Sequence, residues 1–147
     1  MKKKFTFYGE ENATCSPIDQ RFSKIKNPKE LFEILLSLWS KDSCAPRMRE
    51  SWSKDNPTLG QCSITAFLVQ DIFGGEVLGV PLGDGNFHCF NKVNGIAFDL
   101  TSSQFEEGKL DYSKAVPQTR ESHFQKEEKK ARYLTLKRAL LEKLVKS

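Results

Sequence analysis

The clearest hydrophobic pattern in the chain is a nearly unbroken apolar stretch over residues 62–73. Its polar positions are Ser63, Thr65, Gln70 and Asp71. A helix that is apolar on almost every side is a buried helix. Gly60 lets the chain turn before this stretch, and Gly74 suits the residue that follows a helix end. The pattern therefore predicts a central buried helix that begins at or beside Cys62.

Two amphipathic helices are predicted on either side of this segment. Asn27-Pro28 supplies an N-cap and a proline in the first turn, and the apolar positions that follow predict a helix ending near Ser40. The second helix is predicted over about residues 126–146. Its apolar stripe consists of Tyr133, Leu136, Leu140 and Leu144.

Three short segments between these helices have the composition of β-strands: residues 76–80, 87–93 and 96–100. The last two are separated by Asn94-Gly95, which is the strongest short-range signal for a type I′ hairpin. Helices combined with a small antiparallel sheet predict an α+β fold. We expect the central helix to pack on this sheet, with the other helices before and after it along the chain.

The predicted hairpin brings a histidine and an aspartate together. A two-residue turn pairs Val93 with Ile96, and side chains alternate between the faces of a sheet. This register places His88 and Asp99 on one face as diagonal neighbours. Diagonal Cβ atoms lie about 7 Å apart, within reach of a hydrogen bond between imidazole and carboxylate.

Cys62, His88 and Asp99 have the chemistry of a catalytic triad. A thiol at a helix N-terminus lies at the positive end of the helix dipole, which lowers its pKa, and a neighbouring imidazolium lowers it further. His88 would then transfer the proton, and Asp99 would orient the imidazole. Backbone N–H groups at the helix start can receive an oxyanion, and Gln61 is a further candidate donor. The weaker candidates for lining the cleft are Trp52, Asn56, Thr101 and Gln104.

A series of short motifs surrounds these residues over about residues 50–105. They are Asn56-Pro57, Gly60-Gln61-Cys62, Gly74-Gly75, His88, Asn91, Gly95, Asp99-Leu100-Thr101 and Gln104-Phe105. In these motifs the chain resembles the small, uncharacterised bacterial YunG-like family.

The order of the triad also resembles the papain-like fold, which includes papain-type proteases, transglutaminase-like proteins and NlpC/P60-like cell-wall amidases. The order Cys, His, Asp is nearest the transglutaminase-like arrangement. This resemblance implies a papain-like cysteine hydrolase core. It also implies a thiol-dependent hydrolase or acyltransferase that acts on an amide, isopeptide or ester bond. In papain-type enzymes the oxyanion glutamine lies several residues before the nucleophile, whereas Gln61 adjoins Cys62.

Each member of the triad also has a purely structural interpretation. Cys62 could be a small apolar residue in a buried helix, because free cysteine is among the most buried residue types. His88 could be a core histidine bonded to a backbone carbonyl, and Asp99 could cap a turn at residues 101–103. The alternative function is therefore a non-catalytic binding module on the same fold. Under either interpretation, a substrate or ligand would be a small molecule or a peptide.

A zinc site is the remaining chemical alternative, with Cys44, Cys62, His88 and Cys89 as conceivable ligands. Adjacent His88 and Cys89 point to opposite faces of a strand, and none of the usual ligand spacings is present. The sequence therefore predicts no metal site and no cofactor.

Composition places these elements in one globular domain over residues 1–147. The chain is 38% hydrophobic and 29% charged, which is typical of a folded protein rather than a disordered one. No apolar run approaches the roughly 20 residues that span a bilayer, and the N-terminus lacks the apolar core of a secretory signal. The chain has four cysteines, and they form no CxxC pair. We therefore expect reduced thiols, no membrane association and a cytoplasmic location.

The net charge of +4 is concentrated at the C-terminal end. Residues 125–147 hold eight Lys or Arg against three Glu, a surplus of five, so the rest of the chain sums to −1. These cations could bind nucleic acid or an acidic partner. The interspersed glutamates favour an amphipathic helix with solvated charges, so nucleic-acid binding is not expected. His123, which lies in a charged segment just before, is expected to face solvent.

Overall fold

The computed structural model describes residues 5–106 and 108–146, which form helices around one antiparallel sheet. The α+β prediction is confirmed. The sheet has four strands in the order β3-β2-β1-β4. The strands are β1 (Glu76–Pro81), β2 (Phe87–Val93), β3 (Ile96–Phe98) and β4 (Val116–Pro117). The helices are α1 (Pro28–Leu36), α2 (Cys62–Phe73), α3 (Arg120–His123) and α4 (Glu127–Lys146). Short 3₁₀ turns cover Glu10–Asn12, Gln20–Phe22, Pro46–Ser51, Ser102–Gln104 and Tyr112–Lys114.

Helix α1 begins as predicted and ends earlier than predicted. The Asn27 side chain accepts a hydrogen bond from the backbone N–H of Glu30 at 3.0 Å, which satisfies one donor of the first turn. At the other end, the Ser37 hydroxyl donates to the carbonyl oxygen of Ile34 at 2.7 Å. Serine hydroxyls compete in this way with helical hydrogen bonds. The chain therefore leaves the helix after Leu36.

Helix α2 has the predicted bounds and lies between the sheet and helix α4. Its contact with strand β2 includes a hydrogen bond from the Asn91 side chain to the carbonyl oxygen of Ala66 at 2.8 Å. On another side, the Trp39 indole N–H donates to the Thr65 hydroxyl at 3.0 Å. Because other elements cover α2 on several sides, it carries an apolar residue at almost every position.

The hairpin of β2 and β3 has the predicted register. The pairs are Val93 with Ile96, Lys92 with Ala97 and Asn91 with Phe98. Asn94 and Gly95 both have positive φ, as a type I′ turn requires. The third strand is shorter than predicted because Asp99 leaves the ladder with β2. Its backbone N–H donates instead to the carbonyl oxygen of Tyr8 at 2.9 Å.

The C-terminal half contains two elements that the hydrophobic pattern did not predict. Strand β4 has two residues and pairs with β1, and helix α3 has four. Both are too short to show a period in the sequence. Helix α4 was predicted, and its apolar stripe is buried as expected. Among residues 5–106 and 108–146, no helix combines the length and apolarity that crossing a bilayer requires.

Gly60 allows the loop before α2 to pack directly on the start of the helix. Its φ is +71°, and a Cβ there would lie 2.5 Å from Cys44 Sγ and 2.9 Å from the Ala45 nitrogen. The Ala45 N–H also donates to the Gly60 carbonyl oxygen at 2.9 Å. Both the backbone conformation and the close approach therefore require glycine at this position.

We expect Gly60→Ala to lower the free energy of unfolding more than Gly83→Ala. Gly83 has a φ of +86°, and a Cβ added there would meet nothing within 4 Å, so it is a matched control for backbone conformation alone. The control should cost about 1 to 2 kcal/mol. Overpacking at Gly60 should add a further ~1 to 3 kcal/mol. Urea unfolding monitored by circular dichroism measures both, and equal losses would show that the contact with Cys44 and Ala45 is unimportant.

Candidate active site

Cys62 is the first residue of helix α2 and is half-buried. The side chain of the N-cap residue, Gln61, makes no capping hydrogen bond, and the first N–H groups of an α-helix have no intrahelical acceptor. The Cys62 sulfur lies 3.9 Å from the Phe87 carbonyl oxygen, at the start of strand β2. The packing of α2 on β2 thus brings the thiol to the strand that carries His88.

The predicted hydrogen bond between His88 and Asp99 is present. The distance from His88 Nε2 to Asp99 Oδ2 is 2.6 Å, and each residue is only 1% exposed. The ring of Phe105 packs edge-on against the imidazole, with centroids 4.8 Å apart. Asp99 occupies Nε2, which leaves Nδ1 as the other nitrogen of the imidazole, and Cys62 is an electrostatic neighbour of His88.

The Asp99 carboxylate receives three further hydrogen bonds. Its Oδ1 accepts from the Thr101 backbone N–H at 3.0 Å and from the Thr101 hydroxyl at 3.2 Å. Its Oδ2 also accepts from the Tyr112 hydroxyl at 2.8 Å. A buried carboxylate needs such partners, since burial without them is costly. These contacts hold the carboxylate in one orientation toward His88.

The electrostatics of the site favour a charged pair between Cys62 and His88. Burial alone would lower the pKa of His88, but the Asp99 carboxylate outweighs it and raises that pKa to about 10. The pKa of Cys62 lies well below its usual range because the neighbouring Cys89 thiol and the His88 imidazole both favour the thiolate. Both shifts favour a thiolate at Cys62 and an imidazolium at His88.

Cys89 is a second thiol at the site, and the sequence suggested it only as a conceivable zinc ligand. The residue is 1% exposed, and it lies on the face of β2 that packs in the hydrophobic core. The Cys62 thiolate and burial raise the pKa of Cys89 well above its usual range. Both effects favour the protonated form of Cys89 beside Cys62.

Cys62 and His88 both line an open cleft of about 420 Å³. One wall comes from the loop that contains Gly60, and another comes from the segment that contains His123 and the start of α4. Phe87 and Phe105 contribute apolar surface. A substrate of modest size can therefore reach the sulfur from solvent.

The residues predicted to lie around the triad have different positions in the structure. Gln104 lines the cleft and donates to the carbonyl oxygens of Thr58 and Thr101, both at 3.0 Å. Thr101 is buried and contacts Asp99 rather than the cleft. The Trp52 indole donates to the Pro57 carbonyl oxygen, and neither Trp52 nor Asn56 is among the residues that line the cleft.

Gln61 is not brought to the cleft. Its side chain is fully buried, and its amide nitrogen donates to the Ser40 carbonyl oxygen at 3.1 Å. Its Oε1 is a buried polar atom without a hydrogen-bond partner among residues 5–106 and 108–146. The backbone N–H groups at the start of α2 are therefore the donors nearest to Cys62 along the chain, and helix N-termini of this kind can bind anions.

His123 faces the cleft rather than bulk solvent, which corrects the expectation from its charged neighbours. Its Nε2 donates to the Gln118 side-chain oxygen at 2.7 Å, and its Nδ1 accepts from Lys129 Nζ at 2.9 Å. Cys89 Sγ lies 3.9 Å from Nε2. Burial and the Lys129 charge lower the pKa of His123 to about 4, so this imidazole is neutral near pH 7.

Neither Tyr112 nor His123 had a signal in the sequence. Both lie in polar segments without periodicity, and their partners are distant along the chain. The part of the chain that the structure describes holds no cluster of three or more His, Cys, Asp or Glu side chains suited to a metal ion. We identify no residues in this part that would hold a cofactor.

Comparison with known proteins places this chain in a family. Residues 27–145 match the family model described as YunG protein. The uncharacterized protein YunG of Bacillus subtilis strain 168 is 35% identical over 91 residues, which cover 62% of this chain and 72% of that protein. No solved structure shows a significant match. Because the family model matches residues 27–145, which is most of the chain, the chain belongs to the YunG protein family.

Proposed function

We propose that this protein is a thiol-dependent hydrolase or acyltransferase that acts on an amide, isopeptide or ester bond. Cys62 is the nucleophile, His88 transfers protons, and Asp99 orients His88. The observation that carries the proposal is the buried hydrogen bond of 2.6 Å between His88 and Asp99 beside a thiol at a helix N-terminus. A purely structural role does not require a charged pair that opens on a cleft.

Acylation begins with attack of the Cys62 thiolate on the carbonyl carbon of the substrate. A carbon–sulfur bond forms, and the carbonyl π electrons move to oxygen. The backbone N–H groups at the start of α2 stabilise this oxyanion. When the carbonyl re-forms, the bond to the leaving amine or alkoxide breaks, and the His88 imidazolium donates its proton to that group. The product is a thioester at Cys62 and a neutral imidazole.

Deacylation reverses these roles. Neutral His88 takes a proton from a water molecule or an acceptor amine as that nucleophile attacks the thioester carbonyl. The tetrahedral intermediate then collapses and expels the Cys62 thiolate, which restores the starting ion pair. Asp99 and its donors Thr101 and Tyr112 keep the imidazole in place through both steps. Access of water or amine to the cleft decides between hydrolysis and acyl transfer.

A papain-like core is the fold that we propose for this site. The chain order Cys, His, Asp is that of the transglutaminase-like arrangement, and a helix carrying the cysteine packs on an antiparallel sheet carrying the histidine. Gln61 does not take the place of the oxyanion glutamine in papain-type enzymes, because its amide is directed to Ser40. Catalysis would therefore depend on the backbone donors of α2.

The alternative function is a non-catalytic module that binds ligands in the same cleft. In such a module the triad residues would hold the fold together without turnover. The two functions differ in two measurable properties: the reactivity of Cys62 toward electrophiles and the fate of an acyl group on its sulfur.

The pH dependence of alkylation tests the activation of Cys62. We expect iodoacetamide to modify Cys62 with a midpoint well below the ~8.5 of a free thiol. His88→Ala should raise this midpoint because it removes the positive neighbour of the sulfur. Asp99→Asn should raise it less, since Asp99 acts through the imidazole. Rates from pH 4 to 10 are measured by peptide mass spectrometry in a chain with Cys15→Ser and Cys44→Ser.

Two features of this experiment control for indirect effects. Cys89 is retained because it lowers the pKa of the neighbouring Cys62, and its own raised pKa and burial keep it unreactive. His123→Gln removes the other histidine of the cleft, which is neutral near pH 7. The midpoint for alkylation of Cys62 in this variant should therefore stay within a few tenths of a pH unit of the parent value. Superimposable curves for the parent chain, His88→Ala and Asp99→Asn, all near the midpoint of a free thiol, would refute the activation of Cys62.

The fate of an acetyl group separates an enzyme from a binding module. We expect p-nitrophenyl acetate to acetylate Cys62 and the adduct to decay roughly 100-fold or more faster than a free acetyl thioester, because His88 activates water. In His88→Ala the adduct should form slowly and persist. Intact-protein mass spectrometry follows both phases.

The same acetylation experiment distinguishes hydrolysis from acyl transfer. Added glycinamide should leave the products unchanged for a hydrolase and should yield N-acetylglycinamide for an acyltransferase. Cys62→Ser provides the background from other nucleophiles. Decay of the adduct in the parent chain at the rate of a free thioester would favour the binding module.

A further inference from the structure

The cleft beside Cys62 has a strongly positive lining. Among the described residues that form it, Glu128 is the one carboxylate. The cationic residues of the lining are Arg47, Lys126, Lys129 and Arg132. The Cys62 and His88 pair adds no net charge when it consists of a thiolate and an imidazolium. The lining therefore has a surplus of positive charge that faces the bound substrate.

Arg132 is the cation of the cleft lining that is paired with a carboxylate. Its side chain is buried and forms a salt bridge with Glu128. It also donates to the Ser43 carbonyl oxygen at 2.9 Å. Arg132 thus joins α4 to the loop of Ser43 and leaves the other three cations of the lining without Glu128 as a partner.

Arg47, Lys126 and Lys129 have no salt bridge with any carboxylate in residues 5–106 and 108–146. Arg47 and Lys126 are exposed and come from separate chain segments that line the cleft. Like charges that line a concave site concentrate anions within it. An anionic group of a ligand in the cleft would be attracted by both side chains.

Lys129 is the most informative of the three because it is half-buried. Its ammonium donates to the neutral imidazole of His123 at 2.9 Å, and an ammonium has three donors. Partial burial of a cation costs free energy unless an anion or several acceptors compensate. His123 provides one acceptor, and the remaining donors are available to a group in the cleft.

Two other basic residues of α4 contact partners that lie away from the cleft. Lys137 forms a salt bridge with Asp71 at 3.1 Å, and Lys143 donates to the Ser37 hydroxyl at 2.7 Å. The positive end of the chain is therefore not one continuous exposed surface for a nucleic-acid strand. Lys126, Lys129 and Arg132 instead direct part of its charge into a cavity of about 420 Å³.

We propose that the substrate carries a carboxylate or phosphate close to its acyl group, and that Lys129, Lys126 and Arg47 bind this anionic group. The inference rests on the proposed function, because it orients the substrate relative to Cys62. The substrate class is thus an anionic acyl compound, such as an acidic peptide or a phosphorylated small molecule. Lys129, which is half-buried, fixes the position, and the two exposed cations attract the anion.

Charged thiol reagents test this proposal without knowledge of the substrate. Cys62 is treated at pH 6 with the anionic reagent sulfonatoethyl methanethiosulfonate and with its trimethylammonium analogue, in the chain with Cys15→Ser and Cys44→Ser. We expect the ratio of anionic to cationic rates to exceed that of N-acetylcysteine amide by about tenfold. Arg47→Gln, Lys126→Gln and Lys129→Gln should each lower the ratio roughly twofold to fivefold at low salt.

Lys130→Gln is the matched control, because Lys130 is exposed on the same helix and does not line the cleft. It should leave the ratio unchanged, and Lys129→Arg should retain most of the preference. A Cys62 that reacts slowly with both reagents would refute the proposed function. A Cys62 that reacts rapidly with both, at the ratio of the free thiol and insensitive to the three variants, would refute the anion site alone.

Protection experiments identify the anionic group. Glutarate or inorganic phosphate, at constant ionic strength, should slow modification of Cys62, and Lys129→Gln should weaken the protection. Protection by glutarate alone assigns a carboxylate, and protection by phosphate alone assigns a phosphate. Protection by an oligouridylate at the same phosphate concentration, but by neither small anion, would assign the cations to nucleic acid and overturn the proposal.

Discussion

The buried carboxylate of Asp99 organises the site and the chain segments around it. A carboxylate that is 1% exposed persists only with several hydrogen-bond donors, and here they come from distant parts of the sequence. His88 lies on β2, Thr101 follows the hairpin, and Tyr112 comes from a separate turn. The backbone of Asp99 also pairs with Tyr8. Through its carboxylate and its backbone together, Asp99 therefore connects the N-terminal segment, the sheet and the segment after it.

The effect of Asp99 extends to the sulfur of Cys62 through His88. The carboxylate raises the pKa of His88 to about 10, and the imidazolium then favours the thiolate. The neighbouring Cys89 thiol lowers the pKa of Cys62 further. Cys62 also lies at the positive end of the helix dipole, since it is the first residue of α2. The electrostatic environment of this thiol thus depends on the packing of α2 on β2.

Helix α4 gives the cleft its charge while its apolar stripe is buried in the core. Tyr133, Leu136 and Leu140 hold the helix in place. At its start, Lys126 and Lys129 face the cleft, and Arg132 joins the helix to the loop of Ser43. The structural and the proposed binding roles of this basic segment are therefore compatible, because they use different faces of one helix.

The sequence by itself determined the local features: the bounds of α2, the N-cap of α1, the hairpin register and the reach of His88 to Asp99. These follow from periodicity and turn chemistry, which act over a few residues. Only the tertiary structure decided that Gln61 is directed away from the cleft, that Cys89 is an electrostatic neighbour of Cys62, and that Tyr112 contacts Asp99. The same holds for the cleft cations, because their partners lie far apart along the chain. Such contacts depend on how separate elements pack, and no local pattern encodes that packing.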